Sequence, residues 1–230
     1  MTKYFVPRGA QERLHFSRWV LLTINAAEAA GIGQLTRKQL HLLLFMSFAS
    51  CRFYGIEPLQ KRARRTEQGP YYRSAHFALG GLALSGLVEV SNFAAYQSSK
   101  KHLQFEGTFG ATVAGLEVGR QLRSTLRGEA LYAFLLDLCL GVVEGAWHDE
   151  RTRERGERTG LDRVFEQDFT YQQALDRPGK ELFVEEAADS AATPTLTGLR
   201  QIRTYLAEKA GVNRRDVLTV YQRLLQRKAA

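Results

Sequence analysis

Apolar residues recur at helical spacing through 11–30, where Leu14, Trp19, Leu22 and Ile24 lead into an alanine-rich run closed by Gly31. That spacing predicts a helix with a glycine stop. Thr36 has the side chain of an N-cap, and the next helix runs through Leu40, Leu43, Leu44, Met46 and Phe48 to about Phe53. It is apolar on most faces, which predicts a core position, and Gly55 and Pro58 end it. Pro70 suits the first turn of a third helix, continued by Tyr72, Ala75, Leu79, Leu82 and Leu84 to Gly86. Leu87-Val88-Glu89-Val90 alternates and is rich in branched residues, so it reads as a strand. Residues 94–101 are polar and turn-like, and Leu103-Gln104-Phe105-Glu106 reads as the returning strand. Thr112 then precedes an apolar helix from Val113 to about Leu126, and 129–147 forms another.

Beyond it, 148–158 alternates in charge and reads as a solvated helix end or linker. Asp176-Arg177-Pro178-Gly179 is a turn signal, and 187–195 has the composition of a linker. Near the C-terminus, Ala207 stands four residues before Gly211 and Val217 six after it. A small residue, a turn glycine and a later apolar residue at that spacing resemble a helix-turn-helix. Asn213 caps the second helix there, with Asp216 in its first turn. An ordinary helical hairpin closing the domain fits the same residues.

The order helix, helix, strand, turn, strand, helix is the layout of a winged helix. The predicted fold class is therefore mainly α with a small β-hairpin wing, a winged helix-turn-helix followed by a C-terminal helical hairpin. The chain divides into a winged-helix segment with its N-terminal helix (1–128), an acidic helical middle and linker (129–194), and the helix-turn-helix-like hairpin (195–230).

Charge adds information to this layout. The 230 residues carry a formal net charge of +8. Residues 1–130 hold +9, residues 131–195 hold −7 and residues 196–230 hold +6. Two basic segments thus flank an acidic middle, and basic surface points to a polyanion, with nucleic acid first. No apolar run approaches the ~20 residues that cross a bilayer, and Met1–Arg8 lacks the apolar core of a signal peptide. The expectation is a soluble, cytoplasmic protein with no membrane partner. The two cysteines, Cys51 and Cys139, lie in apolar helical stretches, which predicts buried, reduced thiols. With no CxxC pair, a cysteine zinc site is excluded.

Catalytic and nucleotide signatures do not emerge. The chain has no GxxxxGK[ST], no GxGxxG after a strand, no GxSxG and no HExxH. His15, His41, His76, His102 and His148 lack metal-ligand spacing, and Glu185-Glu186 sits where an acidic surface is the default. The protein is therefore expected not to be an enzyme and to need no cofactor or metal. The basic residues offer more. Lys61, Arg62, Arg64 and Arg65 precede the candidate recognition helix, and Tyr72 and Arg73 lie at its start. Lys100 and Lys101 lie at the wing tip, and Arg214 and Arg215 open the last helix. A recognition helix enters the major groove and a wing reaches adjacent backbone, so these ten residues are the candidate contacts to double-stranded DNA. The helix itself is mostly Ala, Gly and Leu, which implies backbone contact over base reading.

The stretch from about Leu40 to Gly119 resembles small winged-helix subunits of bacterial anti-phage defence operons. These are the middle component of SMC-like ABC three-component (Lamassu-type) systems and the related Panacea-type domain. The resemblance rests on the apolar helix Leu40–Phe48, Gly69-Pro70-Tyr71, Leu82 through Gly86-Leu87-Val88, and the helix after the wing. It covers roughly a third of the chain, which is also similar in size to kite-type winged-helix partners of SMC complexes. The resemblance implies a non-catalytic subunit that docks on an SMC-like ATPase and helps it sense DNA. The Lys61–Arg65 run and the C-terminal unit have no counterpart in it, which keeps a dimeric transcriptional regulator, a homodimer on a palindromic site, as the alternative.

Overall fold

Local caps set several of the helices. Thr36 accepts from the Gln39 backbone N–H while the Gln39 side chain accepts from the Thr36 N–H, a full capping box at the head of a helix over Arg37–Ser50. Thr112 caps Val113–Arg123 by accepting from the Gly115 N–H at 3.0 Å. Asn213 and Asp216 bond reciprocally ahead of the last helix, as the sequence predicts. The structure is a computed structural model that describes residues 9–60, 62–67, 69–97, 103–147, 161–176, 179–183, 192–207 and 211–229.

Among these residues the chain is mainly helical with two small antiparallel sheets. The elements in order are α1 (Ala10–Ala29), β1 (Leu35–Thr36), α2 (Arg37–Ser50), β2 (Arg62–Thr66), β3 (Gly69–Tyr71), α3 (Arg73–Leu84), β4 (Val88–Gln97) and β5 (Leu103–Ala111). There follow α4 (Val113–Arg123), α5 (Leu126–Trp147), α6 (Leu161–Glu166), α7 (Phe169–Leu175), β6 (Glu181–Phe183), α8 (Pro194–Leu206) and α9 (Arg214–Ala229). A 3-10 turn over Cys51–Tyr54 extends α2. No helix among the described residues is long and apolar enough to cross a membrane.

The first sheet has the order β1-β5-β4. The hairpin β4–β5 pairs Val88 with Ala111 through to Gln97 with Leu103, and β1 adds Leu35 opposite Phe109. A register irregularity between Ser91 and Ala94 includes Asn92, whose φ of 51° is left-handed, a conformation asparagine tolerates better than most residues. Gly86, with φ 71°, turns α3 into β4.

The second sheet, β3-β2-β6, departs from the sequence reading. The basic run Arg62–Thr66 is a strand, and Pro70 lies in strand β3 instead of opening a helix. β3 pairs only with β2, so it is an edge, where a residue without an N–H is tolerated. The helix begins three residues later, at Arg73. Residues 94–97 are strand and not turn, and 98–102 lie outside the described residues. α8 begins at Pro194, inside the stretch read as linker, with Thr193 capping it and Pro at its first position. The boundary between α4 and α5 falls at Ser124-Thr125, a few residues ahead of the break expected there.

The core is built on α1 and α2. Trp19, Leu22, Ile24, Leu40, Leu43, Phe45 and Phe48 are fully or almost fully buried. α5 packs against α1 on one side and α9 on the other, and α8 and α9 pack together. One buried cluster takes in Leu131 and Leu138 of α5, Leu182 of β6 and Leu196, Leu218 and Leu225 of α8 and α9. The three segments drawn on the sequence thus share a core. Cys51 and Cys139 are buried thiols outside any disulfide, as expected. α4 is less apolar in its packing than its sequence implies. Gly115 and Gly119 are its buried residues, whereas Val113 and Leu116 face outward. At Gly115 a Cβ would stand 1.9 Å from the Leu87 carbonyl oxygen, so only glycine permits this approach.

Beneath α8, Asp168 is fully buried and caps α7 by accepting from the Tyr171 N–H at 3.0 Å. Its other oxygen accepts from the Thr195 hydroxyl at 2.7 Å and the Tyr221 hydroxyl at 2.8 Å. Burial raises its pKa above the usual carboxylate value even though these bonds oppose the shift. This network ties α7, α8 and α9 together.

Candidate nucleic-acid interface

Tyr71, the last residue of β3, is the centre of a basic cluster. Arg64 stands directly opposite it across the β2–β3 pair, so the two side chains share a face. Arg37 opens α2 and Arg73 opens α3. Partial burial raises the Tyr71 pKa, and the guanidiniums of Arg37, Arg73 and Arg64 pull it back down, which brings all three charges to bear on one hydroxyl.

Aromatic rings floor the cluster. Arg73 lies over the Phe77 ring at 5.2 Å, and the rings of Tyr71 and His76 stand 5.8 Å apart. Partial burial and the charge of Arg37 both lower the His76 pKa. One turn below Arg37 on α2, His41 is buried, 5.1 Å from the Tyr71 ring. Its Nδ1 accepts from the Tyr72 backbone N–H at 3.2 Å, which fixes the start of α3 against α2. Burial, then His76 and Arg37, drive the His41 pKa down to about 3, so the ring is neutral.

The residues nominated from the sequence divide. Arg64 and Arg73 come together here. Arg62 is exposed on β2 and pairs with Glu181 of β6 at 3.5 Å. Arg65 turns the other way and donates to the Leu175 carbonyl. Tyr72 is a correction. It is 0% exposed, packed edge-on against Phe48 at 5.2 Å, and cannot reach DNA. It sits at the N-cap, before the helix presents an outer face, and its side chain fills the space between α2 and α3. Arg214 lies over the Tyr54 ring at 5.2 Å, and Arg215 pairs with Glu144 of α5, so both belong to a second location. Lys61, Lys100 and Lys101 lie outside the described residues.

Sequence reasoning missed Arg37. The available signal was a basic residue just after the Thr36 cap, where the helix dipole favours an acid.

The outer side of α3 carries His76, Phe77, Gly80, Gly81 and Leu84. Below its first turn it offers apolar or backbone surface and few hydrogen-bonding side chains. Leu84 (93% exposed) and Val113 (86% exposed) flank the Gly86 turn, where Thr112 Oγ1 donates to the Gly86 carbonyl at 2.7 Å. Among the described residues, no group of three or more His, Cys, Asp or Glu side chains is placed to hold a metal ion. No protein-family model, no curated protein and no solved structure matches the chain.

Proposed function

We propose that the chain is a winged-helix, DNA-associated accessory protein without catalytic activity, which binds double-stranded DNA through its backbone and docks on a partner protein. The placement of Arg64 opposite Tyr71 across β2–β3, with Arg37 and Arg73 at the heads of α2 and α3 and all three charges acting on the Tyr71 hydroxyl, carries this reading. Guanidiniums at that end of two adjacent helices suit phosphate oxygens. The α1–β1–α2–α3–β4–β5 order, with β1 added to the hairpin, supports the winged-helix assignment, the β2–β3 hairpin being an insertion between α2 and α3. The poverty of hydrogen-bonding groups along α3 favours sequence-tolerant binding.

The partner follows from the resemblance to small subunits of genome-defence and SMC-type complexes, which points to an SMC-like ATPase. Exposed Leu84 and Val113 beside the Gly86 turn support a protein-docking role. The second reading, a dimeric transcriptional regulator, draws on the same apolar surface, because Leu116 of α4 extends it and a second copy would cover it.

Fluorescence anisotropy with a labelled duplex tests the DNA contact. Each phosphate neutralised contributes about 0.9 to the slope of log K against log salt. Replacing Arg37, Arg64 and Arg73 together by Ala reduces that slope by about 2 to 3 and weakens binding on unrelated sequences alike. An unchanged slope, or no duplex binding by the wild type at low salt, refutes the interface. Sedimentation of the isolated chain separates the two roles, a monomer supporting the accessory subunit and a dimer the regulator.

A further inference from the structure

A cavity of about 510 Å³ opens where the end of α8 and the start of α9 face α5, lined by Tyr54, Asp137, Arg203, Val212, Asn213, Arg214 and Arg215. We propose that this cavity binds a small phosphomonoester that also carries hydroxyl groups, the chemistry of a sugar phosphate or nucleoside phosphate. The site is separate from the Tyr71 cluster and does not depend on the DNA reading.

The volume falls within the ~300–1,000 Å³ range of ligand pockets. Three of the lining side chains are guanidiniums, and two of them are held in place by the fold. Arg214 is stacked over the Tyr54 ring, and Arg215 is paired to Glu144, which also accepts from Thr219 at 2.9 Å. Arg203 closes the last turn of α8 and has no ion-pair partner among the described residues. Preorganised arginines match the oxygens of a phosphate in a fork-like geometry.

The carboxylate in the cavity decides between ligand classes. Tyr54 donates to Asp137 Oδ2 at 2.8 Å. Burial and that bond raise the Tyr54 pKa, so the phenol stays neutral, and Asp137 is the one negative group lining the cavity among the described residues. A small ligand places its phosphate on Arg203 and Arg214 and turns a hydroxyl donor toward the second oxygen of Asp137. That two-ended match is absent for inorganic phosphate.

Isothermal titration calorimetry on the full chain tests this with ribose 5-phosphate, AMP, adenosine and inorganic phosphate. Ribose 5-phosphate or AMP is expected to bind, with adenosine and inorganic phosphate at least about tenfold weaker. Binding by both places recognition on the sugar and phosphate, and binding by AMP alone makes the ligand a nucleoside phosphate. Arg203→Ala, at an exposed position, should weaken binding about tenfold with the melting temperature unchanged. Asp137→Asn should weaken the sugar phosphate and leave inorganic phosphate unaffected or tighter. No heat with either phosphomonoester at millimolar concentration overturns the proposal, as does inorganic phosphate binding as well as ribose 5-phosphate. Loss of duplex binding in Arg203→Ala without any phosphomonoester binding overturns it too, and makes the cavity part of a DNA surface.

Discussion

Acidification should destabilise this protein, and the fully buried His41 should make a large contribution. Its imidazole is buried, bonded through Nδ1 to the Tyr72 N–H, and has no partner on Nε2. Burial holds its folded pKa at about 3, below the 6.5 of an unperturbed imidazole. As pH falls through the unfolded value, the unfolded chain takes up a proton that the folded chain refuses. Stability is therefore full above about pH 7 and is lost between about 6.5 and 3. The loss approaches about 1.4 kcal/mol per pH unit inside that window, which gives about 2 kcal/mol between pH 7.5 and pH 5.

The perturbation is His41→Asn, whose amide oxygen reproduces the Nδ1 acceptor without titrating. The smaller side chain leaves a void costing about 1–2 kcal/mol, but that cost is the same at every pH. His76, whose pKa is also lowered, remains in both proteins and cancels from the comparison. Urea unfolding followed by circular dichroism at half-unit pH steps measures both curves, with constant m-values confirming a common unfolded state. The wild type should lose about 2 kcal/mol more than the variant between pH 7.5 and 5. Curves that stay parallel within about 0.5 kcal/mol would falsify the claim that His41 is held neutral by burial.

Two glycines should respond to alanine with opposite signs. Gly115→Ala drives a Cβ to 1.9 Å from the Leu87 carbonyl oxygen and should cost about 1–3 kcal/mol in thermal or chemical unfolding. Gly81→Ala, inside α3 with nothing near the new Cβ, should stabilise by about 0.5–1 kcal/mol. Asp168→Ala removes the acceptor for the Thr195 and Tyr221 hydroxyls and the Tyr171 N–H together. Unfolding should become easier by about 3 kcal/mol or more, and a loss below about 1 kcal/mol would mean that water replaces the carboxylate.

What was legible in the sequence is what local chemistry determines. Thr36, Thr112 and Asn213 announce helix starts because each side chain bonds an amide three residues away. Gly86 announces the helix-to-strand turn because its φ of 71° lies where glycine alone is unstrained. The β2–β3–β6 sheet was not legible. Arg62-Ala63-Arg64-Arg65-Thr66 has one apolar residue and no alternation of hydrophobicity, so nothing local marks a strand. It becomes one by pairing with Gly69–Tyr71 and with Glu181–Phe183, more than a hundred residues on. Pro70 misleads because its fixed φ and missing N–H suit a helix start and an edge strand equally. Of the site, Arg64 and Arg73 could be read from clustering along the chain. Arg37 carries only the signal of a basic residue just after the Thr36 cap, and its place beside Tyr71 comes from the fold alone.

The charge pattern acquires its meaning in the same way. Three acids of the middle segment reach back to the basic flanks: Glu144 pairs with Arg215, Glu166 with Lys38 and Glu181 with Arg62. Exposed pairs of this kind contribute about 0–1 kcal/mol each, too little to explain the segregation of charge as a device for stability. They do change which cations are available to define a binding surface, since Arg62 and Arg215 stood among the nominated contacts. Arg37 and Arg73 have the opposite logic. Each puts a positive charge at the positive end of a helix dipole, at a local cost of about 0.3–1 kcal/mol. At α2 the Thr36 capping box offsets it, and at α3 no side-chain cap does. A local rule broken twice, at two helix starts whose charges act on one tyrosine, supports the phosphate contact proposed for this cluster. An anion at Tyr71 would complement both helix ends and the Arg64 charge at once, which is what the backbone of a nucleic acid supplies.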